Sequence, residues 1–562
     1  MYVQDRYSQS GLHDDCRLIL PIHNDPGVSG RHMRRDKIDV SLIRQWLDTC
    51  DELHAPCKNQ VDDLVPEMKV IDCLSRTIVP YTSPEDGYIA LSYVWGSEPP
   101  TLNFQGNVLD SLPKVVEDAV ALVQQIGVRY LWVDRYCIPQ HDASVKALQI
   151  QNMGRIYGGS TLTIIAAAGE SPHYGLPGVS STLKTPQPEI RVDNYCLAGF
   201  LPPRKEVKKS MWNSRGWTYQ EGILSKRRLV FTESQVLFQC LGSHCSDSIS
   251  VPFRALHSKR SVFFESVDFG YFFPSAIQLK NTSSVLSQIE RYRYRNLSVD
   301  ADALDAIAGV FKMYGSTKQP VRFLCGLHIF SKELLRTESN TDILVKALSW
   351  LACESLVRRP HFPSWSWVGW KNFTSAASTA RLRLAAYPYT FQFKLSETHH
   401  DPRKFAHIEV KAELENGQIL KWESSHHQIL DICTMGKYPT HLRISGWGFR
   451  GQIIRDRTSG WRFASPTAYI NTRYSVHLPD LGFCEEDSAT LDIIAILVAT
   501  SRRSFIDCLI FRILEGANVL ERIRYDRRSL TDDDTCEFLV HPDEKRASFG
   551  NLQLEWTEIR VA

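Results

Sequence analysis

Residues 88–96 read Tyr-Ile-Ala-Leu-Ser-Tyr-Val-Trp-Gly, and Ser97, Pro99 and Pro100 follow. The apolar run carries β-branched and aromatic residues, as a strand buried on both faces does. It stops abruptly at Trp95-Gly96, so the predicted strand opens into a loop holding hydroxyls, an indole and a glycine. In open α/β sheets, ligands bind at such strand ends. Two segments of like character follow: Tyr130-Leu-Trp-Val-Asp-Arg-Tyr-Cys-Ile-Pro-Gln140 and Arg215-Gly-Trp-Thr-Tyr-Gln-Glu221.

The connecting sequence is periodic. Leu112, Val115, Val116, Ala119, Val123 and Ile126 form one apolar stripe, with Pro113 near its start and Gly127 at its end, which predicts a helix. A strand over residues 130–134 comes next. Ala147, Ile150, Met153 and Tyr157 mark a further helix before Thr161-Leu-Thr-Ile-Ile-Ala-Ala-Ala168. Strand alternating with helix is the pattern of a parallel sheet with crossover helices.

Upstream, residues 1 to about 40 are polar and charged and read as partly disordered. Leu42, Ile43, Trp46, Leu47, Cys50 and Leu53 predict a helix over residues 40–57. Residues 170–212, rich in Pro, Gly, Ser and Lys, read as a long loop or insertion. A helix over 217–224 and a hairpin around Glu233-Ser234 close the region. Beyond about residue 245, an amphipathic helix over 300–314 precedes short aromatic strands such as Ser364-Trp-Ser-Trp-Val-Gly-Trp370. The predicted division is a polar segment and helix over 1–69, an α/β domain over 70–245, and a mixed region rich in antiparallel strands over 246–562.

Net charge is +2, from 65 basic and 63 acidic residues, which gives no reason to expect a nucleic-acid partner. The short clusters Arg204-Lys205, Lys208-Lys209 and Lys226-Arg227-Arg228 read as solvated faces. Fourteen irregularly spaced cysteines are unlike a secreted disulfide framework. No apolar signal core opens the chain, and the longest apolar stretch, residues 491–500, carries Asp492 and falls short of the roughly 20 residues of a membrane span. The expectation is a cytoplasmic protein with reduced thiols, no membrane span and no cofactor.

Glu221 is the first candidate for chemistry. It follows Trp217 by one helical turn, so both share a helix face with Gln220 and Arg215 near by. A carboxylate beside aromatic surface binds sugar hydroxyls and stabilises a cationic transition state; the plain alternative is an ion pair with Arg215 or Lys226. Asp134 sits where its strand ends. Cys137 with His141 is a thiol–imidazole pair in sequence only, and a small buried cysteine is the alternative. Cys50, His54 and Cys57 are spaced i, i+4, i+7, along one face of a helix. That spacing suits soft-metal ligation or simple packing, and no fourth ligand lies near in sequence. Cys240, His244 and Cys245 are a looser group of the same kind. His399-His400 and His426-His427 read as surface residues.

The three blocks, in this order, resemble the HET domain of filamentous fungi, named for heterokaryon incompatibility. That domain resembles, remotely, the Toll/interleukin-receptor domains, so the resemblance implies a flavodoxin-like parallel sheet over 70–245. Enzymatic members of that group use a Glu four residues after a Trp to cleave the nicotinamide–ribose bond of NAD, a spacing shared by Trp217 and Glu221. The resemblance makes Glu221 catalytic and NAD the substrate. Ser92, Tyr93, Trp95, Gly96, Asp134, Cys137, Gln140, Arg215 and Trp217 become the substrate-binding set. Tyr93 and Trp95 would stack on rings, and Gly96 would allow close backbone approach. The family's usual Asp-Ser-Leu-Cys-Ile reads Asp-Arg-Tyr-Cys-Ile here, which removes a local hydroxyl. The implied role is non-self recognition leading to programmed cell death, with self-association or an incompatibility partner protein. Two mechanisms compete, an NAD-cleaving enzyme and a non-catalytic signalling module, with a cysteine hydrolase using Cys137 as a third.

Overall fold

The computed structural model describes residues 18–23, 27–58, 64–96, 108–109, 111–255, 257, 272–274, 279, 281–335, 339–350, 356–372, 404–405, 408–456, 460–464, 490–501, 505–514, 519–529, 538–540, 546–549 and 552–562. The chain divides into two units. The first comprises Met1–Ser284, Arg295–Ser298 and Asp305–Met313; the second comprises Val285–Tyr294, Val299–Leu304 and Tyr314–Ala562.

The first unit is built on an eight-stranded mixed sheet: β1 (Lys69–Asp72), β2 (Thr77–Pro80), β3 (Tyr88–Ser92), β4 (Tyr130–Val133), β5 (Leu162–Ala166), β6 (Arg227–Phe231), β7 (Val236–Cys240) and β8 (His244–Ser246), in the order β8-β7-β6-β5-β3-β4-β1-β2. The four central strands are parallel, and every residue of β3, β5 and β6 is buried. The near-continuous apolar sequence of β3 and β5 follows from burial on both faces; β6 instead opens on Arg227 and Arg228, both buried, so that basic cluster is not the solvated face its charge suggested. Antiparallel hairpins close both edges. Taken in chain order, the parallel strands stand 2-1-3-4, so the connections leaving β3 and β5 run in opposite directions and diverge at the C-terminal ends of those two strands.

Helices cover both faces: α1 (Val40–Leu53), α2 (Lys114–Ile126), α3 (Ala143–Gly159) and α4 (Trp217–Leu224). Asp39 caps α1 by accepting from the Leu42 amide at 3.1 Å. Gly127, at φ +97°, ends α2 in the left-handed conformation that glycine adopts without strain. Register assigns the faces. Phe238, Leu229, Ile164 and Leu91 form one cross-strand row, and Trp46 of α1 stacks on Phe238 at 5.9 Å. Ser92 and Tyr88 point the opposite way, and Tyr88 donates to the Ile156 carbonyl of α3.

Residues 170–212 are more ordered than a loop. Strands Glu189–Val192 and Tyr195–Phe200 pair there, and Tyr195–Phe200 also pairs with Leu18–Ile22. Within residues 1–40, Leu18–Ile22 is a strand. These elements escaped pattern reading because Glu189–Val192 is exposed throughout; pairing, not burial, makes it a strand. Helices Pro203–Lys209 and Met211–Ser214 follow.

The second unit contains a sheet of eleven described strands, antiparallel except where Leu520 pairs with Val561. His441–Asp456 pairs with Ile408–Glu413, Thr490–Ser501 and Leu552–Val561. Helix Trp422–Thr434 carries His426 and His427, whose rings lie 4.0 Å apart. The expected helix over 300–314 is a 3-10 turn, Asp300–Ala303, followed by helix Asp305–Gly315. The tryptophan-rich segment holds a 3-10 turn at Trp367–Gly369 rather than a continuous strand. Its indoles are buried, and two of them donate to backbone: Trp367 to the Gly326 carbonyl and Trp370 to the Ser364 carbonyl, both at 2.9 Å. His399 and His400 lie outside the described residues. Among the described residues, no helix is long and apolar enough to cross a membrane.

Candidate carboxylate site at the strand ends

Ser92 ends β3 with its side chain on the α3/α4 face. Its hydroxyl, on a residue 1% exposed, donates to Glu221 Oε2 of α4 and accepts the Trp212 indole N–H at 2.7 Å. Gly222, beside Glu221, leaves the room Trp212 needs: a Cβ there would lie 2.9 Å from the Trp212 ring and 2.4 Å from Phe273. Tyr157 of α3 donates to the Leu91 carbonyl at 3.3 Å, and its hydroxyl helps to lower the Glu221 carboxyl from another side. Glu221 itself is 4% exposed.

Asp134 follows β4 directly and accepts both from the Arg135 amide at 2.7 Å and from the Trp95 indole N–H, 3.1 Å from each carboxylate oxygen. Arg135 lies over the Trp95 ring at 5.6 Å and donates to the Trp95 carbonyl at 3.1 Å. Trp95 and Asp134 are half-buried.

The two carboxylates sense each other. Burial, then the like charge of Asp134, holds the Glu221 carboxyl well above the usual carboxylate range, against the pull of Ser92, Arg215 and Tyr157. Burial also raises Asp134, opposed by the Arg135 amide, the Trp95 indole, Arg215 and Arg135. Asp134 keeps partial contact with solvent, so Glu221 is the better holder of a proton shared by the pair. Arg215 thus acts on both carboxylates by charge.

Ser92, Trp95, Asp134, Arg215 and Glu221 therefore form one connected electrostatic group. Other expected members stand elsewhere. Cys137 is buried, its sulfur accepting from the Val133 amide at 3.3 Å, and burial pushes its thiol up to about 12; His141 is exposed. Gln140 donates only locally, to the Ile138 carbonyl at 3.0 Å. Tyr93, 3% exposed, offers no ring surface for stacking, and its buried hydroxyl has no hydrogen-bond partner. Gly96 is exposed with φ +77°, and a Cβ there would approach Pro172 to 3.0 Å. Trp217 is half-buried at the start of α4, packed on the main core. Sequence pattern does not reveal two polar partners of the site, Trp212 and Tyr157: Trp212 lies in an aperiodic stretch, and Tyr157 lies in line with the apolar positions of α3. The cysteines and histidine near the end of α1 do converge, and Cys240 joins them.

Residues 88–221 match the model of the family described as heterokaryon incompatibility protein (HET). The match runs from the first residue of β3 to Glu221 and covers 134 of the 562 residues (221 − 88 + 1). It describes a domain, therefore, and not the whole chain. No curated protein and no solved structure matches.

Proposed function

With residues 88–221 a HET domain, we propose that this chain acts in heterokaryon incompatibility, the non-self recognition that ends in programmed cell death, by cleaving NAD at Glu221. The observation that carries the reading is the buried Glu221 carboxyl, held by Ser92 and coupled in charge to Asp134 at the ends of β3 and β4. The 2-1-3-4 order of the parallel strands supports a flavodoxin-like domain of Toll/interleukin-receptor type, whose ligand crevice lies where the connections diverge.

In this mechanism the bond between the ribose C1′ and the nicotinamide nitrogen breaks. Its electron pair goes to the ring nitrogen, which loses its positive charge. The pair's shared negative charge steadies the oxocarbenium-like sugar, and Glu221 orients the ribose hydroxyls. Water then adds at C1′ and gives its proton to the carboxylate pair. Half-buried Trp95, fixed by Asp134, supplies the aromatic surface for the nicotinamide ring. The burial of Glu221 favours a second reading, in which the carboxylate pair is a structural latch inside a signalling module. Nicotinamide release by the full chain separates them: wild type releases it and Glu221→Ala does not under the first, and neither releases it under the second.

A further inference from the structure

Outside the carboxylate site, one cluster of ligating side chains stands apart in chemistry. Cys50 lies in the last turn of α1, His54 is the residue that caps that helix, and Cys57 ends the 3-10 turn that follows. Cys240 ends β7, 186 residues beyond His54. All four are buried, and their ligand atoms lie within 4.8 Å of one another. Local hydrogen bonds fix the three N-terminal ligands: the His54 amide donates to the Cys50 carbonyl and the Cys57 amide to the His54 carbonyl, both at 2.9 Å.

From this we infer that Cys50, His54, Cys57 and Cys240 form a structural zinc site. Three sulfurs and one imidazole are a ligand set of structural zinc, and four protein ligands leave no position open for substrate. Zinc–sulfur bonds of about 2.3 Å set tetrahedron edges of about 3.8 Å, so small side-chain rotations close this cage. His54 Nδ1 already stands 3.3 Å from Cys240 Sγ.

The surroundings fit a metal-bound thiolate better than a packed thiol. Cys240 Sγ accepts from the Gly242 amide at 3.3 Å and the Ser243 amide at 3.2 Å, donors that orient a ligating sulfur. A Cβ on Gly242 would lie 2.5 Å from the His54 ring, so glycine is required for the ring to reach the sulfur. The far side of the ring is set as well. His54 Nε2 lies 3.0 Å from His257 Nε2, and His257 Nδ1 lies 2.8 Å from the Phe253 carbonyl. That carbonyl can only accept, so His257 carries its proton on Nδ1 and receives one from His54 Nε2. His54 Nδ1 is then left unprotonated toward the sulfurs, the state a metal requires. Finally, Arg227, 2% exposed, donates to Cys50 Sγ at 3.3 Å. Zinc with three thiolates carries one net negative charge, and the guanidinium, which also pairs with the more exposed Asp51, sets a positive group directly against that charge.

The ligands bracket residues 88–221 and none lies inside that match. The site would tie α1, before the HET domain, to β7, after it.

Metal analysis of the purified full chain tests the assignment. The expected result is about one zinc per chain, reduced at least fivefold by Cys240→Ser and by His54→Ala but unchanged by Cys245→Ser. Should the ligand variants not fold, wild type decides: cobalt exchanged into it gives the thiolate charge-transfer bands of a tetrahedral site, and chelation opens Cys50, Cys57 and Cys240 to alkylation. Folded wild type that neither contains nor takes up zinc overturns the proposal. So does full zinc retention by Cys240→Ser, or a disulfide joining Cys240 to Cys50 or Cys57.

Discussion

Replacing Glu221 by Gln keeps the shape of the side chain and its hydrogen-bonding reach but removes its charge. The consequence is a change in how stability depends on pH. Glu221 is raised in the folded chain by burial and by Asp134, whereas an unfolded Glu titrates near about 4.3. Between those two values the folded chain holds a proton that the unfolded chain has released. Stability is therefore fully present at low pH and falls as pH rises through that window, by up to about 1.4 kcal/mol per pH unit for one proton. From pH 5 to 7 wild type is expected to lose up to about 3 kcal/mol through this group. Glu221→Gln loses none of it. Urea unfolding at closely spaced pH values gives both curves, and their difference cancels every other titrating group. The curves should separate with rising pH, the variant becoming the more stable of the two. Parallel curves would refute the reasoning, since they would mean that Glu221 ionises in the folded chain much as it does in the unfolded one.

Three further perturbations follow from the same kind of argument. Ser92→Ala strips Glu221 of a donor and leaves the Trp212 indole N–H buried without an acceptor; a loss of about 2–4 kcal/mol in urea unfolding is expected, and a loss below about 0.5 kcal/mol would contradict the network. Lys184 and Asp247 form an ion pair at 2.6 Å with Lys184 2% exposed. Lys184→Met leaves a buried carboxylate unpaired and should cost about 3–5 kcal/mol, while Lys184→Met with Asp247→Asn recovers much of it. In the second unit, hydrogen bonds from Arg560, then Arg443, outweigh burial and hold Glu413 down to about 2. Its contribution to stability is present above the ordinary carboxylate range and lost as pH falls toward 2. Glu413→Gln should flatten acid unfolding in that window, and an unchanged acid limb would count against the pair.

The parallel core was legible because burial on both faces leaves a plain record. Residues 88–92, 130–133 and 162–166 are apolar runs, and the 112–127 helix has a stripe, a proline and a glycine to mark it. Elements held by pairing rather than burial were not legible. Glu189–Val192 is exposed at every position, so neither period appears in its sequence. The site divides in the same way. Ser92, Trp95 and Asp134 stand at or just past strand ends, Arg215 just before α4 and Glu221 one turn into it, where sequence pattern points. Trp212 is recruited by a contact with Ser92 that spans 120 residues, and local pattern carries no trace of it. Cys50, His54 and Cys57 announced a ligand face through helical spacing. Their fourth partner, Cys240, arrives only when β7 is laid beside α1.

The central claim is that Glu221 cleaves NAD. The most direct measurement is nicotinamide release from NAD by the full chain, at low and at high protein concentration, with Glu221→Gln measured beside it after its pH–stability curve has verified its fold. The account predicts release by wild type, steeper than proportional to protein concentration if assembly activates it, and none by the variant. Equal release by both proteins, or none by wild type when its assembly is independently established, would contradict it.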